Sequence, residues 1–224
     1  MIELRHLWKW YPTPSGRHVV LRDVHLDIPL GTSVGILGGN GAGKSTLLRL
    51  IGGSDFPDQG KVVRRCRVSW PLGLSGGFQG SLSGRENVRF VARIHGHWRD
   101  AGRIISFVHG FSELGDYFDM PVQTYSSGMR SRLGFALSMA FPFDVYLVDE
   151  VTSVGDAAFR RKAREAFADL RRRAGLIMVS HNLNELARSC RSGICLSKGT
   201  ATVFPRISDA LAHHKATLGD VDAA

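Results

Sequence analysis

Three short apolar runs stand out along the chain, at residues 33–37, 145–148 and 176–179. Such runs are typical of central strands in a parallel sheet, which are buried on both faces. Residues 20–28 instead alternate roughly between apolar and polar positions, which predicts a half-buried strand. Each of the three runs leads directly into polar residues. The pattern therefore predicts an α/β fold with its chemistry at the carboxyl ends of these strands.

The pattern changes to a helical period between about residues 83 and 143. Ser83 and Glu86 have the spacing of a capping box, and Val88, Val91 and His95 follow at helical intervals. We therefore expect a helical subdomain inserted at about 83–143 into a single domain that spans residues 1–224.

Two further helices follow from apolar spacing. One should begin near Ser126 and end at Pro142. Its apolar face should consist of Met129, Leu133, Leu137 and Ala140. The other covers residues 159–173, where we expect Phe159, Ala163, Ala166 and Leu170 on the buried face and the Arg and Lys side chains in solvent.

Composition supports a globular protein that does not cross a membrane. The 224 residues are 43% hydrophobic and 22% charged, which suits one domain with its own core. No uninterrupted apolar run reaches the roughly 18 residues of a membrane span. The N-terminus lacks the apolar segment of a secretory signal, so we expect a cytoplasmic location. The net charge of +9 would suit nucleic acid, nucleotide phosphates or an anionic membrane face, and does not choose among them.

The segment GGNGAGKST at residues 38–46 matches the phosphate-loop pattern GxxxxGK[ST]. It lies between an apolar run and a helical pattern, which is the context that such a loop requires. Lys44 would reach the β and γ phosphates of a nucleotide, and Ser45 would ligate magnesium. The candidate nucleotide-binding residues here are Gly38, Gly39, Asn40, Gly41, Ala42, Gly43, Lys44, Ser45 and Thr46.

A pair of acidic residues ends the apolar run at 145–148. Asp149 stands where a carboxylate can hold magnesium at the carboxyl end of a strand. Because side chains alternate along a strand, Glu150 should point elsewhere, where it can polarise the attacking water as a general base.

The segment YSSGMRSRLGFA, from Tyr125, resembles the LSGGQ signature of ABC transporter ATPases. The resemblance implies an ABC-type phosphate-loop ATPase with a RecA-like core, an N-terminal antiparallel β part and an inserted helical subdomain. It also implies that Ser126 and Gly128 of one subunit contact the γ-phosphate of ATP held by the other. Tyr125, Ser127 and Met129 depart from the usual signature letters.

Other site residues take their roles from this resemblance. His181 matches the switch histidine, which would contact the γ-phosphate and act with Lys44 and Glu150 in catalysis. Tyr11 would stack on adenine, and Trp8 or Trp10 could substitute for it.

Two family segments are altered in this chain. The segment VTSVGD at 151–156 keeps Asp156, which would cross the interface of an ATPase dimer. Within residues 70–87, Gln79 is the only glutamine available to link magnesium to the transporter partner, and it lies closer to the following helix than the family pattern has it.

The segments SGGFQGSLSGREN, YSSGM and DEVTSVGD resemble the ATPase subunits of bacterial capsular polysaccharide exporters. This implies ATP and Mg²⁺ as cofactors, a homodimer on the cytoplasmic face of the inner membrane, and a transmembrane permease dimer as partner. Periplasmic capsule-export components are further candidate partners. The polysaccharide would be transported without being contacted mainly by this chain, and nucleic acid is not expected.

Other functions stay open at this point. Exporters of O-antigen or teichoic acid share much of the same pattern, and a soluble ABC ATPase acting on nucleic acid is a more distant alternative. A protein that binds ATP without turnover is a third possibility, against which Glu150 argues.

Overall fold

The computed structural model describes residues 1–72, 77–149 and 156–219, with side chains up to residue 217. The strands are β1 (Ile2–Thr13), β2 (Gly16–Ile28), β3 (Val34–Gly38), β4 (Gln59–Arg64), β5 (Val68–Leu72), β6 (Val145–Asp149), β7 (Gly175–Val179), β8 (Ser192–Ser197) and β9 (Thr200–Phe204). The helices are α1 (Lys44–Gly52), α2 (Gly84–Ile94), α3 (Ala101–Ser112), α4 (Ser127–Met139), α5 (Ala157–Arg173), α6 (Leu183–Ser189) and α7 (Ile207–Gly219). Short 3-10 helices cover Gly115–Asp119 and Val122–Thr124.

The three apolar runs form the centre of one sheet, as predicted. They correspond to β3, β6 and β7 in a six-stranded sheet with the order β5-β6-β7-β3-β8-β9. The pairs β6/β7, β7/β3 and β3/β8 are parallel, and β8 pairs with β9 in the antiparallel direction. The carboxyl ends of β3, β6 and β7 therefore meet at one edge.

A second, antiparallel sheet has the strand order β2-β1-β4. The predicted strand at residues 20–28 is the second part of β2, where Leu21, Val24, Leu26 and Ile28 are buried and most of the residues between them are exposed. This alternation is expected of a strand with one face on the core. The sheet provides the N-terminal antiparallel β part that the resemblance implies.

The chain divides into two compact units. The first comprises Met1–Pro71, Phe143–Glu150 and Arg171–Ala224, and the second comprises Leu72–Pro142 and Val151–Leu170. The core of the first unit joins apolar residues of both sheets and of α1. In the second unit the rings of Phe111, Phe135 and Phe159 contact one another.

The capping box that opens α2 is confirmed. Ser83 accepts a hydrogen bond from the Glu86 amide, and the Glu86 carboxylate accepts one from the Ser83 amide. Val88 is buried, Val91 is partly buried, and His95 lies at the C-terminal cap beyond the helix. The apolar spacing therefore located this helix but overestimated its length.

The helix at the signature segment begins as predicted, with Ser126 as its N-cap. Leu133 and Leu137 are buried as expected, together with every other residue from 133 to 139, whereas Met129 is partly exposed and Ala140 lies beyond the helix end. The hydroxyl of Ser138 can be buried because it donates to the carbonyl of Gly134 at 2.9 Å.

Helix α5 buries Phe159, Ala163 and Leu170, and Ala166 is partly exposed. Most of its cationic side chains face solvent as expected, but Lys162 donates to the Phe111 carbonyl and the Glu113 carboxylate. Among the described helices, none has the length and apolar character to span a membrane.

Candidate functional site

The phosphate loop lies between the end of β3 and the start of α1. Gly43, the N-cap of α1, has a left-handed backbone with φ of 97°. A Cβ atom at Gly43 would stand 2.8 Å from a methyl carbon of Val20. Glycine is therefore required here both by the backbone conformation and by the close approach of β2.

The amino end of α1 is suited to bind an anion. No described side chain caps this helix, and its first turn contains no acidic residue. Its first amides and the helix dipole therefore favour a negatively charged ligand. The Lys44 ammonium donates to the carbonyls of Gly38 and Gly39, both at 2.8 Å, which holds the amine beside the loop.

A cavity of about 540 Å³, called the phosphate cavity below, contains the polar residues predicted at the strand ends. It is lined by Lys44 and Ser45 after β3, Asp149 at the end of β6, and His181 after β7. Asn40, Gly41, Gly43 and Thr46 also line it. Gly38, Gly39 and Ala42 border a neighbouring cavity instead. Predicted residues from three segments that are far apart in sequence are thus brought to one site.

This cavity provides oxygen ligands suited to magnesium. The hydroxyl of Ser45 and the carboxylate of Asp149 both line it, and hard oxygen donors are what Mg²⁺ prefers. The residues present therefore fit the ion. Glu150, the predicted general base, lies outside the described residues.

Ser180 and Asn182, on either side of His181, stabilise the backbone conformation there through hydrogen bonds. Asn182 caps α6 by accepting hydrogen bonds from the amides of Asn184 and Glu185. Ser180 accepts a hydrogen bond from the Asn182 amide and donates one to the Glu185 carboxylate. Sequence reasoning overlooked these two neighbours, although an asparagine followed three residues later by glutamate is a recognisable helix start.

Tyr11, the predicted adenine-stacking residue, is fixed through its hydroxyl. That hydroxyl donates to the Asp55 carboxylate at 2.9 Å and accepts from Arg49 at 3.2 Å. The Lys9 ammonium, which pairs with Asp55, lies 5.2 Å from the centre of the Tyr11 ring. Partial burial acts to raise the pKa of Asp55, but hydrogen bonds from Lys9 and Tyr11 hold it below its ordinary value.

Tyr11 is not among the residues that line the phosphate cavity. Of the two alternatives, Trp10 has the Arg17 guanidinium 5.0 Å from its ring centre, and Trp8 is partly buried. The role of Tyr11 at adenine therefore stays a prediction.

The signature segment forms a second cavity, of about 600 Å³, in the other unit. Ser126, Gly128, Arg132, Tyr117 and Asp156 line it. Ser126 accepts a hydrogen bond from the Met129 amide at 3.2 Å. The side chain of Met129 does not take part in that bond.

Asp156 is held within its own unit. Its carboxylate accepts a hydrogen bond from the Phe159 amide at 2.9 Å and forms an ion pair with Arg132. The Phe159 amide and Arg132 hold the pKa of this carboxyl below its ordinary value. Arg132 was not singled out from the sequence, because its partner lies 24 residues away.

Tyr125 replaces the first signature letter for a structural reason. It is buried, and its hydroxyl donates to the Tyr117 carbonyl at 2.6 Å. A Cβ atom at Gly84 would stand 2.6 Å from this hydroxyl, so glycine at 84 and tyrosine at 125 fit each other.

Tyr125→Phe is expected to destabilise the protein by about 1–3 kcal/mol, because the Tyr117 carbonyl loses its donor in a buried setting. Urea unfolding measures this loss. Tyr117→Phe is the matched control, since that ring is 51% exposed and its backbone carbonyl is unchanged. Equal stability of the two variants would contradict the assignment.

Gln79 is positioned through its backbone. Its amide donates to the side-chain oxygen of Asn87 at 2.8 Å, and its carbonyl accepts from the Asn87 amide group at 3.1 Å. Asn87 is buried and was missed in the sequence. The Gln79 side chain is exposed and lies 3.4 Å from the Ser81 hydroxyl. Its role at magnesium stays a prediction.

Comparison with known proteins identifies the same family that the signature segment resembles. The family described as ABC transporter matches residues 21–153. The polysialic acid transport ATP-binding protein KpsT of Escherichia coli is 51% identical over 97% of this chain and all of that protein. The capsule polysaccharide export ATP-binding protein CtrD of Neisseria meningitidis is 43% identical over 96% of this chain and 98% of its own.

A solved structure has the same fold. It is a dimeric, post-hydrolysis ATP-binding cassette with ADP and Pi, which superposes with a TM-score of 0.74. The match covers 92% of this chain and 99% of the other at 22% identity. With its phosphate loop, its strand-end carboxylate and its signature helix, this chain belongs to the ABC transporter family of ATP-binding proteins.

Proposed function

We propose that this chain is the ATP-hydrolysing subunit of an exporter that moves capsular polysaccharide through a separate permease. The main support for ATP hydrolysis is the cavity that joins Lys44, Ser45, Asp149 and His181. The support for capsular polysaccharide is the identity of 51% and 43% to proteins named for polysialic acid transport and capsule export. Proteins named for teichoic acid and O-antigen export are 36% and 37% identical.

In the proposed mechanism the loop amides and the Lys44 ammonium bind the phosphates of ATP. Ser45 and Asp149 would hold Mg²⁺, which when bound supplies positive charge beside the phosphate oxygens. His181 contacts the γ-phosphate, and Glu150 accepts a proton from the attacking water. Charge that develops on the γ-phosphate oxygens is stabilised by Lys44.

Two copies of the chain complete the sites in this proposal. Ser126 and Gly128 of one copy approach the γ-phosphate bound to the other, at the amino end of α4 where amides face an anion. Asp156 lines the same cavity as this helix end. ATP thereby joins the two copies, and hydrolysis releases them.

The permease dimer would supply the path through the inner membrane, and this chain would lie at its cytoplasmic face. Gln79 and the 70–125 region are the proposed contact with the permease. Periplasmic capsule-export components remain proposed partners, and no role for nucleic acid is proposed.

Isolation of the tagged chain from native membranes tests this function. We expect a polytopic permease and capsule-export components to copurify with it, and an untagged strain provides the control. Copurification of nucleic acid or ribosomal proteins would overturn the proposed purpose. A permease for O-antigen or teichoic acid would overturn the assignment to capsule.

A further inference from the structure

A third cavity, of about 420 Å³, borders the phosphate loop within the first unit. It lies between β2, the loop residues Gly38–Ala42, the turn that joins β8 and β9, and the last helix, α7. It shares Val20, Asn40 and Gly41 with the phosphate cavity but not Lys44, Ser45 or Asp149. Apart from these loop residues, the lining of this cavity, called the α7 cavity below, has no role in the function proposed above.

The α7 cavity is lined by basic side chains. His18 and Arg22 come from β2, Lys198 from the β8–β9 turn, and His213 and His214 from α7. Within the described ranges 1–72, 77–149 and 156–219, no aspartate or glutamate lines it. Within the part of the chain that the structure describes, none of these five side chains forms an ion pair with a carboxylate.

Some other cations of the same unit have counter-ions. Arg5 pairs with Glu3 at 2.9 Å, Lys9 with Asp55 at 2.8 Å, and Arg67 with Asp144 at 3.1 Å. A concave surface lined by charges of one sign concentrates ions of the opposite sign. The clustering of basic groups without carboxylates therefore points to a ligand that brings its own negative charge.

We infer that the α7 cavity is a second anion site, which binds a phosphate-bearing small molecule. Arg and Lys form their strongest hydrogen bonds with phosphate oxygens, and a phosphate has several acceptors to match several donors. Val19, Val20 and Leu196 give the cavity apolar walls that suit the organic part of a phosphate ester. The phosphate comes either from a nucleotide that extends out of the loop or from a separate molecule.

Protonation of the histidines links this site to pH. The pKa of His214 is lowered by burial and by the charges of Lys44 and His213. A bound anion favours the imidazolium and raises this pKa, so binding takes up a proton and weakens as pH rises through the raised value. The other facing groups are His18, Arg22 and Lys198, which are basic, and Cys195, whose pKa burial raises to about 11.

The test uses inorganic pyrophosphate as the probe in isothermal titration calorimetry on the full chain. Pyrophosphate is titrated into the wild type saturated with a non-hydrolysable ATP analogue, and separately into Lys44→Ala. We expect binding to Lys44→Ala, about three- to tenfold tighter near pH 6 than near pH 8, whereas the analogue-saturated wild type distinguishes the two phosphate sources. The double variant Arg22→Gln/Lys198→Gln should bind at least about tenfold more weakly.

The controls separate the site from its neighbours and the two phosphate sources from each other. Lys215→Gln, an exposed change on α7 outside the cavity, should bind pyrophosphate like the wild type. His213→Gln/His214→Gln should remove most of the pH dependence of pyrophosphate binding.

If the analogue displaces pyrophosphate and itself binds more weakly to Arg22→Gln/Lys198→Gln, the phosphate belongs to the nucleotide. Binding beside the analogue identifies a separate molecule.

The inference is overturned if Arg22→Gln/Lys198→Gln alters the binding of neither pyrophosphate nor the analogue. Failure of the proposed function is distinct, because it appears as a wild type that does not bind the ATP analogue at all.

Discussion

Lys44→Ala is expected to lower ATP turnover by at least about a hundredfold. The ammonium of Lys44 is held beside the loop by the carbonyls of Gly38 and Gly39, and it is the loop's candidate contact for the β and γ phosphates. The variant removes this positive charge where negative charge develops during hydrolysis. Phosphate release at saturating ATP measures the change.

Lys61→Ala is the matched control for this experiment, since Lys61 is an exposed lysine on β4 of the same unit. It should retain wild-type turnover. Circular dichroism establishes that both variants are folded. Turnover in Lys44→Ala within a few-fold of the wild type would exclude the loop as the site of hydrolysis.

Glu150→Gln is expected to reduce hydrolysis by about 10²–10⁴-fold while ATP binding is retained. The amide cannot accept the proton of the attacking water, whereas the loop and the proposed magnesium ligands Ser45 and Asp149 are unchanged. ATP should then accumulate in a closed dimer. Phosphate release measures the rate, and light scattering after gel filtration with ATP measures the mass.

Glu165→Gln is the control for this second variant, because Glu165 is exposed on α5. It should hydrolyse ATP like the wild type and should not form a stable ATP dimer. Unchanged hydrolysis in Glu150→Gln would refute the proposed base. A loss of hydrolysis without a dimer would refute the proposed joining of two copies by ATP.

Local patterns predicted most of the elements that build the site. The apolar runs correctly located β3, β6 and β7, because central strands need apolar residues on both faces. The caps Ser83 and Ser126 were visible because capping depends on residues within one helical turn. The position of Asp149 and His181 at the ends of such strands was also predictable.

Other features could not be predicted, because they depend on how neighbouring segments pack. In the signature helix, residues 133–139 are all buried, and the apolar spacing did not predict the burial of Gly134 and Ser138. Similarly, the tyrosine at 125 looked like a simple departure from the signature. Its reason emerges only from the contact of its hydroxyl with Tyr117 and from the space left by Gly84.

The amino-acid sequence alone thus predicted the phosphate loop, the strand-end acidic pair and the helix starts. Hydrophobic periodicity, helix capping and the backbone conformation of glycine each depend on only a few neighbouring residues. Tertiary structure decided which distant groups meet. It paired Tyr11 with Asp55 and Arg132 with Asp156, and it placed β8 next to β3, with the α7 histidines bordering the same loop. These contacts follow from strand order and packing, which no local spacing encodes.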